Sequence, residues 1–409
     1  VRFPEGLRAL NHRDYRLYFV GLLVSNIGTW MQSVGQSWLI IELTDSAFLL
    51  GLISTLQFAP TLLFSLFGGV LADRLPKRRT LLITQTSLML LAFTLAVLVF
   101  TGQVQYWHVA VLAFLLGTAN SIDVPVRQAF TVEMVGGRQD LSNAVALNSA
   151  IFNGARLVGP AVAGLLIAEY GVGTAFLLNG ISFLAIIGAL MLIKAQGAPQ
   201  ARSQRSVVED VKEGMGYAFR TPMVSFLLTL IFVIALFVIN YSVLVPVLAR
   251  NVLQSGAEGY GLLMSSLGAG ALVGAFLLAF RRRGEVNVKP LVAAALALCA
   301  ATASIYFVRE FWVASVGLFL MGLAQILFTA DANATVQLIV PDQLRGRVMS
   351  LYHVMFAGTT PFGALFTGTV VERFGGSVGF LVAGTMGMLS ALLLLFRWVR
   401  RPPETRSAH

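Results

Sequence analysis

The chain has 409 residues, 57% of them hydrophobic and only 12% charged, whereas ordinary soluble domains carry about 25% charged residues. That balance argues against a soluble enzyme, and apolar runs along the whole length argue against a soluble body on a single anchor. The net charge of +10 would point to nucleic acid in a soluble chain, but here the placement of the charges decides.

A membrane-crossing helix needs about 20 apolar residues. Twelve such runs are predicted, at 17–41, 47–72, 80–101, 107–130, 143–168, 174–194, 223–249, 259–280, 290–307, 311–335, 347–371 and 377–397. The first, from Leu17 to Leu43, is too long for a signal peptide and lacks a small-residue cleavage site. It contains Asn26, Gln32 and Gln36, and the last two share a helix face. The second span holds Gln57 and runs into Gly69-Val70-Leu71-Ala72-Asp73-Arg74-Leu75-Pro76-Lys77-Arg78-Arg79. Span four carries Asp123 and Arg127, four apart on one face. Span five carries Asn148, Asn153 and Arg156, followed by Gly159-Pro160-x-x-Ala163-Gly164. Its small residues permit close helix contact, and Pro160 is expected to bend the helix. Arg156 falls about 13 residues into its span, roughly 20 Å at 1.5 Å per residue, near the bilayer midplane. A charge there faces a water-filled cavity or a partner.

Residues 195–222 break the apolar series. Pro199, Arg202, Ser203, Gln204 and Arg205 read as linker, and Ser206-Val207-Val208-Glu209 as a capping box. The apolar spacing that follows predicts an amphipathic helix over 206–220, lying on the membrane surface. In the second half, span seven carries Asn240 and Tyr241, span ten Asp331, and span eleven Tyr352 and His353. Interhelical hydrogen bonding competes with substrate contact for each polar residue in these spans. Gly270-x-x-x-Gly274 reads as a helix-packing pattern. The single cysteine, Cys299, excludes an internal disulfide and a cysteine-cluster metal site. Neither a metal nor another cofactor is expected.

If the N-terminus is cytoplasmic, 25 of the 29 Lys and Arg fall on the cytoplasmic side, and only Arg250, Arg309 and Arg373 fall outside. This positive-inside asymmetry places both termini inside the cell and removes any need for nucleic acid. Residues 143–184 also match 347–388 at a constant offset of 204. Leu147, Phe152, Gly154, Gly159, Gly164, Gly171, Phe176, Leu177 and Gly180 all recur. The expected fold is therefore an all-α membrane protein of twelve transmembrane helices in two six-helix bundles related by pseudo-two-fold symmetry. The bundles are 1–194 and 223–409, joined by a cytoplasmic linker at 195–222. Parallel six-span repeats place a transport site at the midplane between the halves.

The run at 69–79 closely resembles the loop pattern of the major facilitator superfamily, with Pro76 where that family usually has Gly. The resemblance implies a conformational latch of Gly69, Asp73, Arg74, Arg78, Asp123 and Arg127. The Gly159, Pro160 and Gly164 stretch resembles the superfamily's antiporter motif, with Ala at three of its Gly positions. Asn11-His12-Arg13-Asp14-Tyr15-Arg16-Leu17, together with Asp123-Val124-Pro125-Val126-Arg127-Gln128-Ala129-Phe130, is similar to the bacterial exporter branch that contains the enterobactin exporter and multidrug relatives. The arginine that drug antiporters of this superfamily often carry in span four is replaced here by Ala113.

The leading expectation is a secondary active exporter in a bacterial cytoplasmic membrane. It would act as a monomer and exchange inward protons for amphipathic small molecules. Asp123, Arg156, Asp331 and His353 are candidates for coupling. Asn26, Gln32, Gln36, Gln57, Asn148, Asn153, Arg156, Asn240, Tyr241 and Tyr352 are candidates for the cavity lining. An importer or uncoupled facilitator on the same fold, a lysophospholipid or lipid transporter, a non-transporting receptor and an intramembrane enzyme are the alternatives. No phosphate-binding loop or hydrolase motif is present in the sequence.

Overall fold

The computed structural model describes residues 3–137, 139–197, 207–280 and 288–400, without the side chains of 65–74, 207–211, 279 and 342. The described chain is helical. A short 3-10 turn (Glu5–Asn11) leads into α1 (Arg13–Thr44), α2 (Ala47–Arg74), α3 (Lys77–Phe100), α4 (Tyr106–Met134), α5 (Leu141–Tyr170) and α6 (Gly173–Leu192). After α7 (Val207–Arg220) come α8 (Pro222–Phe237), α9 (Tyr241–Val247), α10 (Ala257–Phe280), α11 (Val288–Ser304) and α12 (Phe311–Ile339). The last three are α13 (Asp342–Ala357), α14 (Thr360–Phe374) and α15 (Gly376–Val399).

Eleven stretches of the described residues are long and apolar enough to cross a bilayer. Of the expected spans, the one left out is α1. It is 32 residues long, but Ser25, Asn26, Thr29, Gln32, Ser33, Gln36 and Ser37 dilute its apolar content.

Two expected spans are jointed. Span seven divides into α8 and α9, because the Asn240 side-chain amide donates to the Leu236 carbonyl at 2.8 Å and competes with the backbone ladder. Span eleven divides into α13 and α14 at Gly358-Thr359. Pro361, in the first turn of α14, has no N–H for the carbonyl of Ala357. The corresponding residue of α5 is Leu157, and α5 continues unbroken for 30 residues. Both copies end alike, on Gly171 at φ +81° and Gly375 at φ +87°, where a side chain would strain the backbone.

The chain forms two compact units. The first holds Val1–Asp45, Ala59–Ser203 and Ser255–Ser265, and the second holds Ser46–Phe58, Gln204–Gln254 and Ser266–His409. In the first, Gly21 and Gly28 of α1 lie against Ile186 and Ser182 of α6 with no room for a larger residue. A cluster of buried residues, including Tyr15, Tyr18, Leu88, Phe130, Phe183 and Leu190, fills the end where α1 begins. In the second, Gly384 of α15 packs on Cys299 and Ala303, and Phe226 stacks on Trp398 at 5.0 Å. In lipid, where apolar burial gives no net drive, such close approach and interhelical hydrogen bonds hold helices together.

Candidate functional site

At the end of the first unit where α1 begins, Asp123 of α4 is fully buried. Its Oδ1 accepts from the Thr84 hydroxyl at 2.6 Å and the Gln85 amide at 2.8 Å, both on α3. Its Oδ2 is ion-paired with Arg127 one turn on. The Tyr18 ring from α1 lies within electrostatic range of both charges, and its buried hydroxyl has no hydrogen-bond partner among the described residues. The structure thus brings Asp123 and Arg127 together and adds Thr84 and Gln85, which the sequence did not single out. Arg78 is elsewhere. Its guanidinium donates to the carbonyls of Leu190 and Met191, both at 2.7 Å, at the C-terminus of α6, where a cation also complements the helix dipole. Gly69 belongs to the backbone of α2, and the side chains of Asp73 and Arg74 lie outside the described residues.

A clasp surrounds this region. Asp140, just before α5, pairs with Arg8 Nε at 2.7 Å and His12 Nε2 at 2.8 Å. The Asn143 side chain accepts from Ala9 N and donates to Gly6 O. Asp14 accepts the backbone N–H groups of Lys194 and Ala195, and Tyr15 donates to Ala144 O at 2.9 Å. The fully buried Lys77 pairs with Glu133 at 2.7 Å. The start of the chain is thereby stitched to α5 and to the chain leaving α6. Replacing Asp140 with alanine frees Arg8 and His12 together. We expect a loss of roughly 1 kcal/mol, since each part-exposed pair contributes little, read as a fall of a few degrees in the Tm of the purified protein.

Along α1 and α5 the polar residues divide. Asn179 of α6 donates to Gln32 Oε1 at 2.6 Å, a buried interhelical bond. Asn26 and Asn153 donate to the carbonyls one turn earlier in their own helices, and Asn148 accepts from Tyr15 at 3.0 Å. Gln36 is buried and Gln57 half-buried. Arg156 is buried in the middle of α5, its guanidinium 5.9 Å from the centroid of the Trp30 ring. Phe152 meets Trp30 edge-on at 5.6 Å. An aromatic face can hold a cation in a desolvated place.

In the second unit, Asn240 and Tyr241 are buried at the joint between α8 and α9. Tyr352 donates to Thr329 O at 3.1 Å, and its ring meets that of His353 at 5.7 Å. His353 is exposed and Asp331 half-buried. Arg345 turns to the Gln337 carbonyl at 3.0 Å, and Arg347 pairs with Glu213 of α7 at 2.6 Å.

Two matching helix crossings were not read from the sequence. In the second unit the first turns of α2 lie on α14. Gly51 faces Ala364, Gly368 faces Ala47 and Gly51, and the Thr55 hydroxyl donates to Pro361 O at 2.8 Å. In the first unit the start of α10 lies on α5 in the same way. Gly261 faces Pro160 and Gly164, and the Ser265 hydroxyl donates to Leu157 O at 2.7 Å. The signal was present as Ala47-x-x-x-Gly51-x-x-x-Thr55 and Ala257-x-x-x-Gly261-x-x-x-Ser265. Gly159, Pro160 and Gly164 all serve such contacts, Gly159 against Trp30 and Ile27 of α1. One crossing has an extra tie. Glu372 Oε2 accepts from Ser46 Oγ at 3.1 Å and Phe48 N at 3.2 Å, a carboxylate at the N-terminus of α2.

The family model described as transmembrane secretion effector matches residues 5–408. The staphyloferrin A transporter of Staphylococcus aureus is 25% identical over 93% of this chain and 95% of its own. The multidrug efflux pump Tap of Mycolicibacterium fortuitum is 24% identical over 93% and 94%. Among solved structures, the nucleoside transporter NupG superposes with a TM-score of 0.75 at 12% identity, over 95% of this chain and 99% of that one. That likeness carries the fold alone.

Proposed function

Since the chain belongs to the transmembrane secretion effector family of the major facilitator superfamily, we propose that this multi-pass membrane transporter exports amphipathic small molecules in exchange for protons. The observation that carries the reading is Arg156. A permanent charge held inside α5, against the Trp30 face and away from any helix end, is rare in a membrane span and marks a substrate or ion pathway. The aromatic surroundings of Arg156 suit amphipathic or aromatic cargo. A relative whose name gives a direction is an efflux pump, which supports export.

In this reading the end carrying Arg8, Arg13, Arg78 and Lys194 faces the cytoplasm of a bacterium, as the positive-inside asymmetry requires. Alternating exposure of the site needs a group whose proton affinity differs between the two states. Arg156, Asp331 and His353 are the coupling candidates carried into the test. Asp123 has its oxygens occupied by Arg127, Thr84 and Gln85, which suits a latch better than a proton carrier.

The test uses liposomes containing the purified chain and an internal pH dye, with a substrate gradient and no pH gradient. Substrate-dependent proton counterflow is expected. Arg156→Ala should cut it at least about tenfold, equivalent to about 1.4 kcal/mol, with Arg156→Lys retaining part of the rate. Substrate flux without proton movement would instead select an uncoupled facilitator. The observation favouring that second reading is Ala113, a buried alanine in α4 at the position where related antiporters carry their arginine.

A further inference from the structure

We infer that the outer face of α7 and the groove beside it form a binding site for one anionic phospholipid of the surrounding bilayer. The inference concerns the membrane environment and does not depend on the direction or coupling of transport. Helix α7 is turned so that its small residues, Gly214 and Ala218, face inward, Gly214 against Arg347 of α13 and Ala218 buried. Glu213 fixes that docking through its ion pair with Arg347. The opposite face carries Lys212, Met215 and Phe219, at i, i+3 and i+7, with Arg220 beside them. Met215 is 40% and Phe219 70% exposed. Lys212 and Arg220 are exposed and make no hydrogen bond or ion pair with other described residues.

An apolar pair flanked by two exposed cations, at the point where the chain enters a membrane span at Pro222, is the chemistry of a helix lying in the lipid interface. What makes it a site is the groove that begins at Phe219. It is lined by Ala218, Phe219, Leu228, Phe232, Leu351 and Met355, with the Ser225 and Thr229 side chains along α8. From Ser225 to Phe232 it follows α8 for seven residues, about 10 Å at 1.5 Å per residue. Thr229 donates its hydroxyl back to Ser225 O at 2.7 Å, leaving the groove apolar in character. Arg220 directly follows Phe219, where the groove begins, and Lys212 lies two turns earlier on the same helix, about 10 Å away at 1.5 Å per residue. A phosphate with an attached acyl chain has that order of chemistry, since juxtamembrane cations attract anionic headgroups. A free inorganic anion would leave the groove empty, and a zwitterionic lipid would leave the two cations without a net counter-charge.

The test uses the full chain purified in detergent. Dioleoyl phosphatidylglycerol, dioleoyl phosphatidylcholine and inorganic phosphate are added separately, and bound lipid is counted by native mass spectrometry alongside Tm. We expect phosphatidylglycerol to bind roughly tenfold more tightly than phosphatidylcholine, as two interfacial cations allow, and to raise Tm more. In Lys212→Gln/Arg220→Gln, surface changes that leave the packing of α7 intact, the preference between the two lipids should vanish while acyl binding persists. In Phe232→Ser both lipids should bind less. If that variant folds poorly, the double variant alone decides. Equal binding of both lipids by the wild type, an unchanged preference in the double variant, or full reproduction of the Tm shift by phosphate would each overturn the site.

Discussion

Replacing Asp123 with alanine is expected to stop transport and to lower the yield of folded protein, the largest single-residue effect foreseen for this chain. The carboxylate is fully buried and takes three donors, from Arg127, Thr84 and Gln85. Removing it leaves a guanidinium without its counter-charge beside the unpaired Tyr18 hydroxyl, and strands the Gln85 amide, whose Oε1 already lacks a partner. Breaking a buried pair from one side costs about 3–5 kcal/mol. Arg127 is partly exposed, so the lower end applies, about 3 kcal/mol. Asp123→Asn keeps the shape and two of the acceptor contacts and should lose less. The opposite deletion, Arg127→Ala, leaves an uncompensated buried carboxylate and should resemble Asp123→Ala in stability. Thermal unfolding in nanodiscs and substrate efflux from the same preparations separate the effects. An Asp123→Ala protein with wild-type Tm and wild-type flux would remove the cluster from both roles.

The second large effect lies at the matched crossings. Gly261→Leu places a branched side chain where even a Cβ meets Gly164 Cα at 2.8 Å, and Gly51→Leu does the same against Gly368 Cα at 3.3 Å. Overpacking of this kind costs about 1–3 kcal/mol. If these crossings form in one transport state and part in the other, the cost falls on one state only, and about 1–3 kcal/mol shifts that balance roughly 5- to 150-fold. The expected result is a protein that still assembles, with little change in Tm, but turns over at least about tenfold more slowly. Gly51→Ala and Gly261→Ala should be milder, because one methyl group asks less of the neighbouring backbone. Thermal stability measured beside flux distinguishes the cases. A matched fall in both would assign the crossings to folding alone. Glu372 ties the α2 crossing at Ser46 and Phe48, so Gly51→Leu should lose part of its effect when Glu372 is also removed.

The spans were legible because each needs only a long apolar run, and the apolar runs at 80–101 and 107–130 lie within a few residues of α3 and α4. The joints were not legible. A proline such as Pro361 inside an apolar run can bend a helix, as Pro160 sits within α5, or stop one, and only the local hydrogen-bond ladder decides. Arg156 stood out because a charge amid apolar residues is conspicuous. Asn179 did not, although it turned out to partner Gln32, because one amide in a helix as apolar as α6 carries no spacing signal. Thr84 and Gln85 were hidden for a related reason: their meaning depends on Asp123, 38 or 39 residues away. The crossing motif recurs at an offset of 210, out of register with the longer match at 204, and three small residues spaced by four are too common in apolar helices to stand out. Arg78 was read as part of a charge latch because its loop resembles a family pattern, whereas its guanidinium is satisfied by the end of α6.

The two copies of the duplicated helix differ in continuity. α5 is one uninterrupted helix of 30 residues, with Pro160 inside it. Its counterpart has a knuckle at Gly358-Thr359, where the Thr359 hydroxyl turns back onto the carbonyls of Met355 and Phe356. The break parts the backbone ladder between the portion bearing Tyr352 and His353 and the portion bearing Glu372. The repeat thus pairs a helix whose two ends share one ladder with a helix whose two ends do not, an asymmetry that a strict duplication would lack.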